Sequence, residues 1–268
     1  MQLASIDDIT RQYRHVYFQP HFDDAALSCG GSIALQTATG QRALIVTVFG
    51  GSPAADTPAS AFADQVQQKM GLGGKPVDAV AARGAEDLAA ADALHADVLW
   101  LNYQDAIYRG SPAYYASEES LFGEVHSGDL KLDEELSNVF LKIAEHAPVA
   151  ALYAPLGVGH HVDHQLCCSA ADRLAQRKLN VKFYEDFPYV THNGALERRK
   201  KELSIAMEPE LVEISGTMAA KRAAIEAYSS QIPVLFGNQA VLAETLDRYS
   251  GSLRSSEPGI RIERYWRW

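Results

Sequence analysis

The chain has 268 residues, of which 47% are hydrophobic, and its net charge is −10. This length suits one large α/β domain or two small ones, and the acidic balance argues against nucleic acid or an anionic membrane as the main partner. The 3 cysteines are odd in number and form no Cys-x-x-Cys pair, which predicts buried thiols in a reducing compartment and no disulfide framework.

The N-terminal residues show no basic segment followed by a long apolar one, and no run of about 18 apolar residues could span a bilayer. We therefore expect a cytoplasmic protein without a membrane partner. Residues 1–15 are polar, which predicts a short edge segment before the first strand.

From residue 16 onward, short apolar runs typical of strands alternate with longer periodic runs typical of helices. This alternation predicts a Rossmann-like, three-layer α/β fold with a mostly parallel sheet and helices on both faces. The predicted strands are Val16–Phe18, Ala43–Phe49, Val98–Leu101, Ala150–Ala154, Val181–Tyr184 and Arg261–Trp266. The clearest predicted helices are Ala25–Gln36, Ser60–Met70, Val77–Ala96, Leu132–Ala147, Leu166–Arg177 and Thr217–Tyr228.

The stretch Gln19-Pro20-His21-Phe22-Asp23-Asp24 lies where the first strand gives way to the first helix. One aspartate at this point is explained by helix capping and the helix dipole. A second aspartate, with a histidine two positions before the pair, is typical of metal ligands with a spare carboxylate. Taken alone, this stretch leaves capping and metal binding as open alternatives.

A second polar cluster, Gly157 to His164, follows the fourth predicted strand. A lone histidine is usually satisfied inside a fold, but here three histidines and Asp163 fall within five residues, in a chain with 9 histidines. His161 and His164 are three residues apart, so both would project towards one side of a first helical turn. Two such loops at the ends of neighbouring strands would offer two histidines and one aspartate to a zinc ion, leaving further groups for proton transfer.

Two features between these clusters each allow two interpretations. Arg83 precedes Glu86 and Asp87 at helical spacing, which indicates either an exposed ion pair or a residue that faces a pocket. The aromatic-rich segment 103–122 could form a wall on which a sugar stacks, or it could pack on its own domain. The segment 54–76 is interpreted as a flap around a short helix.

Familiar nucleotide, hydrolase and zinc-protease motifs are missing from the sequence. Instead, Pro20 to Asp24 with Cys29-Gly30-Gly31, and later His161-Val162-Asp163-His164, resemble the signature motifs of the PIG-L/LmbE-like zinc N-deacetylases, which usually read A-H-P-D-D-E and H-P-D-H. The resemblance extends to Arg83-x-x-Glu86, to Asp105 and to the segment 184–189. It therefore implies one domain over residues 1–268, with a core at 16–190 and a C-terminal extension at 191–268.

The resemblance implies a hydrolase that removes an N-acyl group, above all N-acetyl, from an N-acetylglucosamine-type sugar or glycoconjugate. It implies that zinc, or another divalent metal, is bound by His21, Asp24 and His164. Asp23 would act as general base, and His161 would stabilise the oxyanion. Asp163 would orient His161 and keep it protonated. Arg83 and Asp105 would bind the substrate.

Phe22 and Ala25 stand where the family usually has proline and glutamate, which leaves the ligands intact and bears on pocket shape. Two rival functions stay open: a zinc amidase acting on a thiol-conjugate or other non-sugar amide, and a catalytically inactive metal- or sugar-binding protein. The joint presence of Asp23 and His161 favours an enzyme. The expected partner is a small amino sugar or glycoconjugate, and a homo-oligomer is compatible with the sequence.

Overall fold

The structure, a computed structural model, describes residues 1–254 and 257–268. Its strands are β1 (Gln2–Leu3), β2 (Tyr13–Gln19), β3 (Arg42–Thr47), β4 (Asp97–Trp100), β5 (Ala151–Pro155), β6 (Val181–Tyr184), β7 (Glu208–Glu213) and β8 (Ile262–Arg267). Its helices are α1 (Asp24–Ala38), α2 (Ala61–Lys69), α3 (Pro76–Ala93), α4 (Glu118–Leu121), α5 (Leu130–His146), α6 (Val162–Gln176), α7 (Ala195–Leu203), α8 (Met218–Glu226), α9 (Ile232–Leu235) and α10 (Gln239–Ser252).

Across the described residues the strands form one 8-stranded sheet in the order β1-β4-β3-β2-β5-β6-β8-β7. The pairs from β1 to β6 are parallel, whereas β8 runs antiparallel to both β6 and β7. This arrangement confirms the predicted α/β fold with a mostly parallel sheet. Such strands are joined by crossover helices, because consecutive parallel strands need a long connection.

The connection order creates a switch point between β2 and β5. From β2 the chain proceeds through β3 and β4 on one side, and β5 then pairs with the other side of β2, with Val16 opposite Leu152. Loops at the carboxyl ends of such neighbouring strands diverge and leave a crevice between them. The two polar clusters follow β2 and β5, so this topology brings them together.

The predicted strands were all found, and the polar N-terminal segment indeed contributes an edge strand, β1. The sequence did not predict β7, whose residues Glu-Pro-Glu-Leu-Val-Glu are mostly exposed at the opposite edge of the sheet. An edge strand buries little apolar surface, so its hydrophobic pattern is weak.

The core is built from apolar side chains of the sheet and of the helices on both faces. Phe18 of β2, for example, stacks on Phe140 of α5 with ring centroids 3.8 Å apart. All 3 cysteines are buried and free, as predicted. Among the described residues, no helix is both long and apolar enough to cross a membrane.

Candidate active site

One cavity of about 240 Å³ opens above the carboxyl ends of β2 and β5. Seven of the eight site residues predicted from the sequence line it: His21, Asp23, Asp24, Arg83, Asp105, His161 and His164. The eighth, Asp163, is fully buried beside them. The structure therefore brings together residues that are up to 143 positions apart in the chain.

The first cluster forms a tight turn whose aspartates are not helix caps in the ordinary way. Oδ2 of Asp24 accepts a hydrogen bond from the backbone N–H of His21 at 2.8 Å. Within the described residues, Asp23 at the N-cap position of α1 makes no side-chain capping bond. The buried amide of Gln19 takes that role, since its Oε1 accepts from the backbone N–H of Ala25 at 3.0 Å. Capping therefore leaves the Asp23 carboxylate free for chemistry.

The second cluster leads into α6. His161 is the N-cap residue of this helix, and its Nδ1 accepts from the backbone N–H of Asp163 at 3.2 Å. Because Nδ1 accepts, a neutral His161 carries its proton on Nε2. His164 follows one turn later and is 2% exposed, with its ring centroid 5.3 Å from that of His161.

The donor set suits a divalent metal. Nε2 of His21 lies 2.9 Å from Oδ2 of Asp163, and Nδ1 of His164 lies 2.7 Å from Oδ1 of Asp186. The other nitrogen of each ring lies 3.5 Å from an Asp24 carboxylate oxygen. A buried carboxylate behind each histidine fixes the ring and its tautomer, which is the usual support of a metal-binding histidine.

Among the described residues, two groups of side chains have donor atoms within 4.8 Å of one another, and neither includes Asp24: His21 with His161 and His164, and His21 with Asp105 and Asp163. The first group engages His161, which has its Nδ1 occupied by the backbone. The second would bring a cation against Arg109, whose Nη1 is 2.6 Å from Oδ1 of Asp163. Like charges at such range repel strongly in a buried site.

The role expected for Asp163 differs from the structure. Its carboxylate contacts His21, the guanidinium of Arg109 and the backbone N–H of Ala106, whereas its contact with His161 is through the backbone. Asp163 is fully buried in the first turn of α6. Its carboxylate therefore orients His21, whereas His161 is held by the backbone N–H of Asp163.

The protonation states follow from burial and neighbouring charges. Burial, reinforced by Asp24, raises the pKa of Asp23 to about 7, although Arg83 opposes this shift. Burial alone would also raise the pKa of Asp24, but His164 and His21 outweigh it and lower it to about 2. Burial and the nearby His21 hold the pKa of His161 well below its usual range. A neutral His161 therefore replaces the expected protonated one, because burial and the His21 ring, whose centroid is 4.7 Å away, both disfavour a charge on it.

Arg83 belongs to the site and not to an exposed ion pair. Its side chain is 9% exposed, and its Nη1 donates to Oδ2 of Asp105 at 3.3 Å, while Nη2 lies 3.7 Å from Oδ1 of Asp23. The acids that share its helix face other partners: Glu86 accepts from Ser230, and Asp87 accepts from Gln19, Trp100 and Tyr228. The surface interpretation of Arg83 is therefore wrong.

Phe22 and Ala25, which stand where the family motif usually has proline and glutamate, are both buried. Phe22 is 2% exposed and meets Trp100 edge-on, with ring centroids 5.1 Å apart. The guanidinium carbon of Arg83 lies over the Phe22 ring, 5.9 Å from its centroid. Phe22 thus supports a cavity residue, while Ala25 is fully buried in the core.

The cavity walls are largely apolar. Most of them come from elements that the sequence analysis did not identify as part of a binding site. Of the aromatic segment, Phe122 reaches the cavity, whereas Tyr114 stacks on His126 and Tyr115 bonds Asp129. Tyr114 and Tyr115 thus pack on their own domain, which is one of the two interpretations that the sequence allowed, and Phe122 faces the cavity. The remaining apolar lining is supplied by α2, by the segment 187–189 after β6 and by α9, namely Phe62, Val66, Met70, Phe187, Pro188, Tyr189, Val234 and Leu235.

Three further residues of the site were given no role in the sequence analysis. Gln19 and Asp186 lie within stretches that it singled out, and a polar residue at the end of an apolar strand was the signal that could have assigned them to the site. Arg109 lies in the aromatic segment, and nothing local distinguishes it from an exposed arginine.

Comparisons with known proteins agree with this geometry. The family model described as PIG-L, GlcNAc-PI de-N-acetylase, matches residues 16–175. A 2'-N-acetylparomamine deacetylase from Niallia circulans is 31% identical, with 90% of this chain and 88% of that protein covered. The solved structure of a zinc-inhibited form of the teicoplanin deacetylase Orf2 has a TM-score of 0.80 at 26% identity and covers 94% of this chain and 97% of its own.

The A40926 pseudoaglycone deacetylase Dbv21 has a TM-score of 0.74 at 25% identity, and the match covers 96% of this chain and 97% of that one. The family model alone covers more than half of this chain and includes both motifs. The chain thus belongs to the PIG-L family and is a metal-dependent N-deacetylase.

Proposed function

We propose that this enzyme removes the N-acetyl group from an N-acetylglucosamine-type amino sugar or glycoconjugate, and that its metal is zinc. The names of its relatives support the substrate class, since they are deacetylases of 2'-N-acetylparomamine, teicoplanin and the A40926 pseudoaglycone. The observation that carries the proposal is the shared cavity, in which a metal-type donor set lies beside a free carboxylate and a hydrogen-bond donor.

We assign the metal to His21, Asp24 and His164. Imidazole and carboxylate ligands suit zinc, and three protein ligands are typical of a catalytic site that keeps one position open. Zinc bound there would act as a Lewis acid and lower the pKa of a water to about 7. The carboxylates of Asp163 and Asp186 support the two histidines from behind.

Asp23 would be the proton carrier. Its carboxylate lines the cavity, and its pKa of about 7 matches a group that must both take and release a proton near neutrality. In the proposed reaction it accepts a proton from the attacking water and later donates one to the nitrogen of the leaving amine. Arg83, 3.7 Å away, limits the reorientation of this carboxylate.

His161 would stabilise the charge that develops on the amide oxygen. A neutral ring with Nδ1 bonded to the backbone presents its Nε2–H to the cavity as a donor. A positioned donor of this kind is worth about 2.7 to 4 kcal/mol in the transition state. Because the helix N-cap holds the ring, little reorganisation would be needed when the oxyanion forms.

Arg83 and Asp105 would bind substrate hydroxyl groups. They form a buried pair at the cavity wall and offer both a donor and an acceptor to a polyol. The apolar lining contributed by Val66, Phe122 and Leu235 would contact a less polar part of the substrate. The same lining gives the non-sugar amidase a specific observation in its favour.

A substrate panel tests the proposal. Metal-free protein is loaded with one equivalent of zinc, and released acetate is measured with an N-acetylglucosaminide, with 2'-N-acetylparomamine and with N-acetyl amides that lack the sugar. We expect turnover of the sugars and little turnover of the truncated amides. Turnover of sugar-free amides alone would establish the amidase. Zinc binding without turnover of any amide would indicate an inactive binding protein.

A further inference from the structure

A chain of buried polar contacts runs from the segment after β4 to His21. Arg109 is 8% exposed and joins two buried carboxylates: its Nε donates to Oδ2 of Asp129 at 2.8 Å, and its Nη1 lies 2.6 Å from Oδ1 of Asp163. Nη1 also donates to the backbone carbonyl of Gln104 at 2.9 Å. A buried guanidinium is tolerated only when it is paired in this way, so Arg109 and its two acids form one unit.

Asp163 connects this unit to His21. Its Oδ1 faces Arg109, whereas its Oδ2 accepts from the backbone N–H of Ala106 at 3.0 Å and lies 2.9 Å from Nε2 of His21. An ionised carboxylate can only accept, so His21 donates from Nε2. The other ring nitrogen, Nδ1, then faces Asp24, 3.5 Å away. The orientation of Asp163 thus decides which nitrogen of His21 is available to a cation.

The surroundings of Arg109 hold its guanidinium in one place. Tyr115 donates from its hydroxyl to Oδ2 of Asp129 at 2.8 Å. The guanidinium carbon lies 5.0 Å from the ring centroid of Phe49 and 5.3 Å from that of Tyr115. The cavity lining includes Arg83 but not Arg109. Arg109 and Tyr115 of the aromatic segment therefore support the site from outside the cavity, whereas Phe122 of the same segment lines it.

We propose that Arg109 is a positioning residue for the metal centre. By holding the Asp163 carboxylate, it fixes the ring orientation and the Nε2-protonated tautomer of His21, and this raises the affinity for the metal. The inference rests on the proposed function of His21 as a metal ligand. Arg109 acts on the reaction through Asp163 and His21 and makes no contact with the substrate.

Zinc affinity measured by competition with a chelator tests the proposal. Replacing a carboxylate partner of a metal-binding histidine typically lowers metal affinity 10- to 100-fold, and we expect the loss in Arg109→Met to fall in this range. Arg109→Lys should recover part of the loss, because it retains a charge near Asp163 but cannot bridge two acids. The control Arg42→Met breaks a more exposed arginine–aspartate pair, with Asp97 at the far end of β3, and should change affinity less than about twofold.

A double-variant cycle separates this role from a general loss of stability. If Arg109 acts through Asp163, the pair Arg109→Met and Asp163→Asn should bind zinc no more weakly than Asp163→Asn alone, whereas additive losses would overturn the proposal. A second readout uses the zinc-loaded protein: ¹⁵N shifts of His21 should report Nε2–H and a metal-bound Nδ1 in the wild type, and a mixture of the two ring orientations in Arg109→Lys. An unchanged ring orientation and unchanged zinc affinity in Arg109→Lys would also overturn it, even if Arg109→Met did not fold.

If the proposed function itself is wrong, zinc binding should show a different pattern. In that case wild-type protein would bind no zinc, or His21→Ala would bind it as tightly as wild type. Tight binding that depends on His21 but not on Arg109 would refute the inference alone.

Discussion

The Asp23→Asn substitution tests whether Asp23 is tuned for proton transfer at the expense of stability. Asp23 is 6% exposed and its pKa is raised to about 7 in the metal-free protein, against about 3.9 for an ordinary aspartate. A carboxyl whose pKa is higher in the folded state holds its proton more tightly there than in the unfolded chain. Stability should therefore fall as the pH rises from about 4 to about 7, and then level off.

The size of this effect follows from the shift. Each pKa unit corresponds to about 1.4 kcal/mol, so a shift of about three units corresponds to at most about 4 kcal/mol. Coupling to Asp24 and the ion pair with Arg83 reduce what a substitution recovers. We expect Asp23→Asn to stabilise the metal-free fold by about 2 kcal/mol at pH 8, and by much less at pH 4.5.

Urea unfolding of metal-free protein at these two pH values measures the effect, with Asp92→Asn at an exposed position near the end of α3 as the matched control. The zinc-loaded variant should keep its metal and lose at least about 10²-fold in turnover, the usual contribution of a general base. Equal destabilisation at both pH values would refute the reasoning, since it would make Asp23 an ordinary structural residue. Loss of zinc from a folded variant would make Asp23 a ligand.

Three further substitutions address the other roles. His164→Ala should abolish zinc retention and activity, because two remaining protein ligands cannot hold the ion against water and buffer; near-stoichiometric zinc by elemental analysis would contradict this assignment. Arg83→Ala should lower kcat/KM for an amino sugar by about 10- to 150-fold and much less for an amide without the ring, whereas equal losses on both would indicate a disturbed fold. Asp186→Asn should lower the affinity for zinc about 10- to 100-fold in a chelator competition. Unchanged affinity would show that His164 binds zinc without the support of the Asp186 carboxylate.

The fold and the membership of the site could be predicted because they depend on patterns along the chain. Apolar runs and their lengths report strands and helices directly, and parallel pairing then brings the loops after β2 and β5 to one edge. The signature motifs lie in these loops, so His21, Asp24 and His164 could be named from the sequence. The weakly patterned β7 escaped because an edge strand needs little apolar surface.

Side-chain partners could not be predicted in the same way. Helical spacing suggested that Arg83 pairs with Glu86 or Asp87, yet tertiary contacts turn it towards Asp23 and Asp105. Spacing along the sequence identifies only neighbours on the same helix. The actual partners of Arg83 come from loops that follow other strands of the sheet.

The same reason explains Asp163 and the aromatic segment. Proximity in sequence suggested a pair between Asp163 and His161, but Arg109 approaches from the segment after β4 and attracts the carboxylate. The sequence left open whether the aromatic segment faces a sugar or packs on its own domain, and the Tyr115 hydroxyl donates to Asp129 inside the protein. The three-dimensional packing of this segment places Arg109 beside Asp163, which in turn contacts His21.

An anomalous difference map at the zinc absorption edge, from a crystal loaded with one equivalent of zinc, tests the central claim most directly. We predict one strong peak bonded to Nδ1 of His21, a carboxylate oxygen of Asp24 and Nε2 of His164, with metal–nitrogen distances of about 2.1 Å and Asp23 outside the coordination sphere. A peak bonded to His161 in place of Asp24, or one between Asp105 and Asp163, would contradict the account.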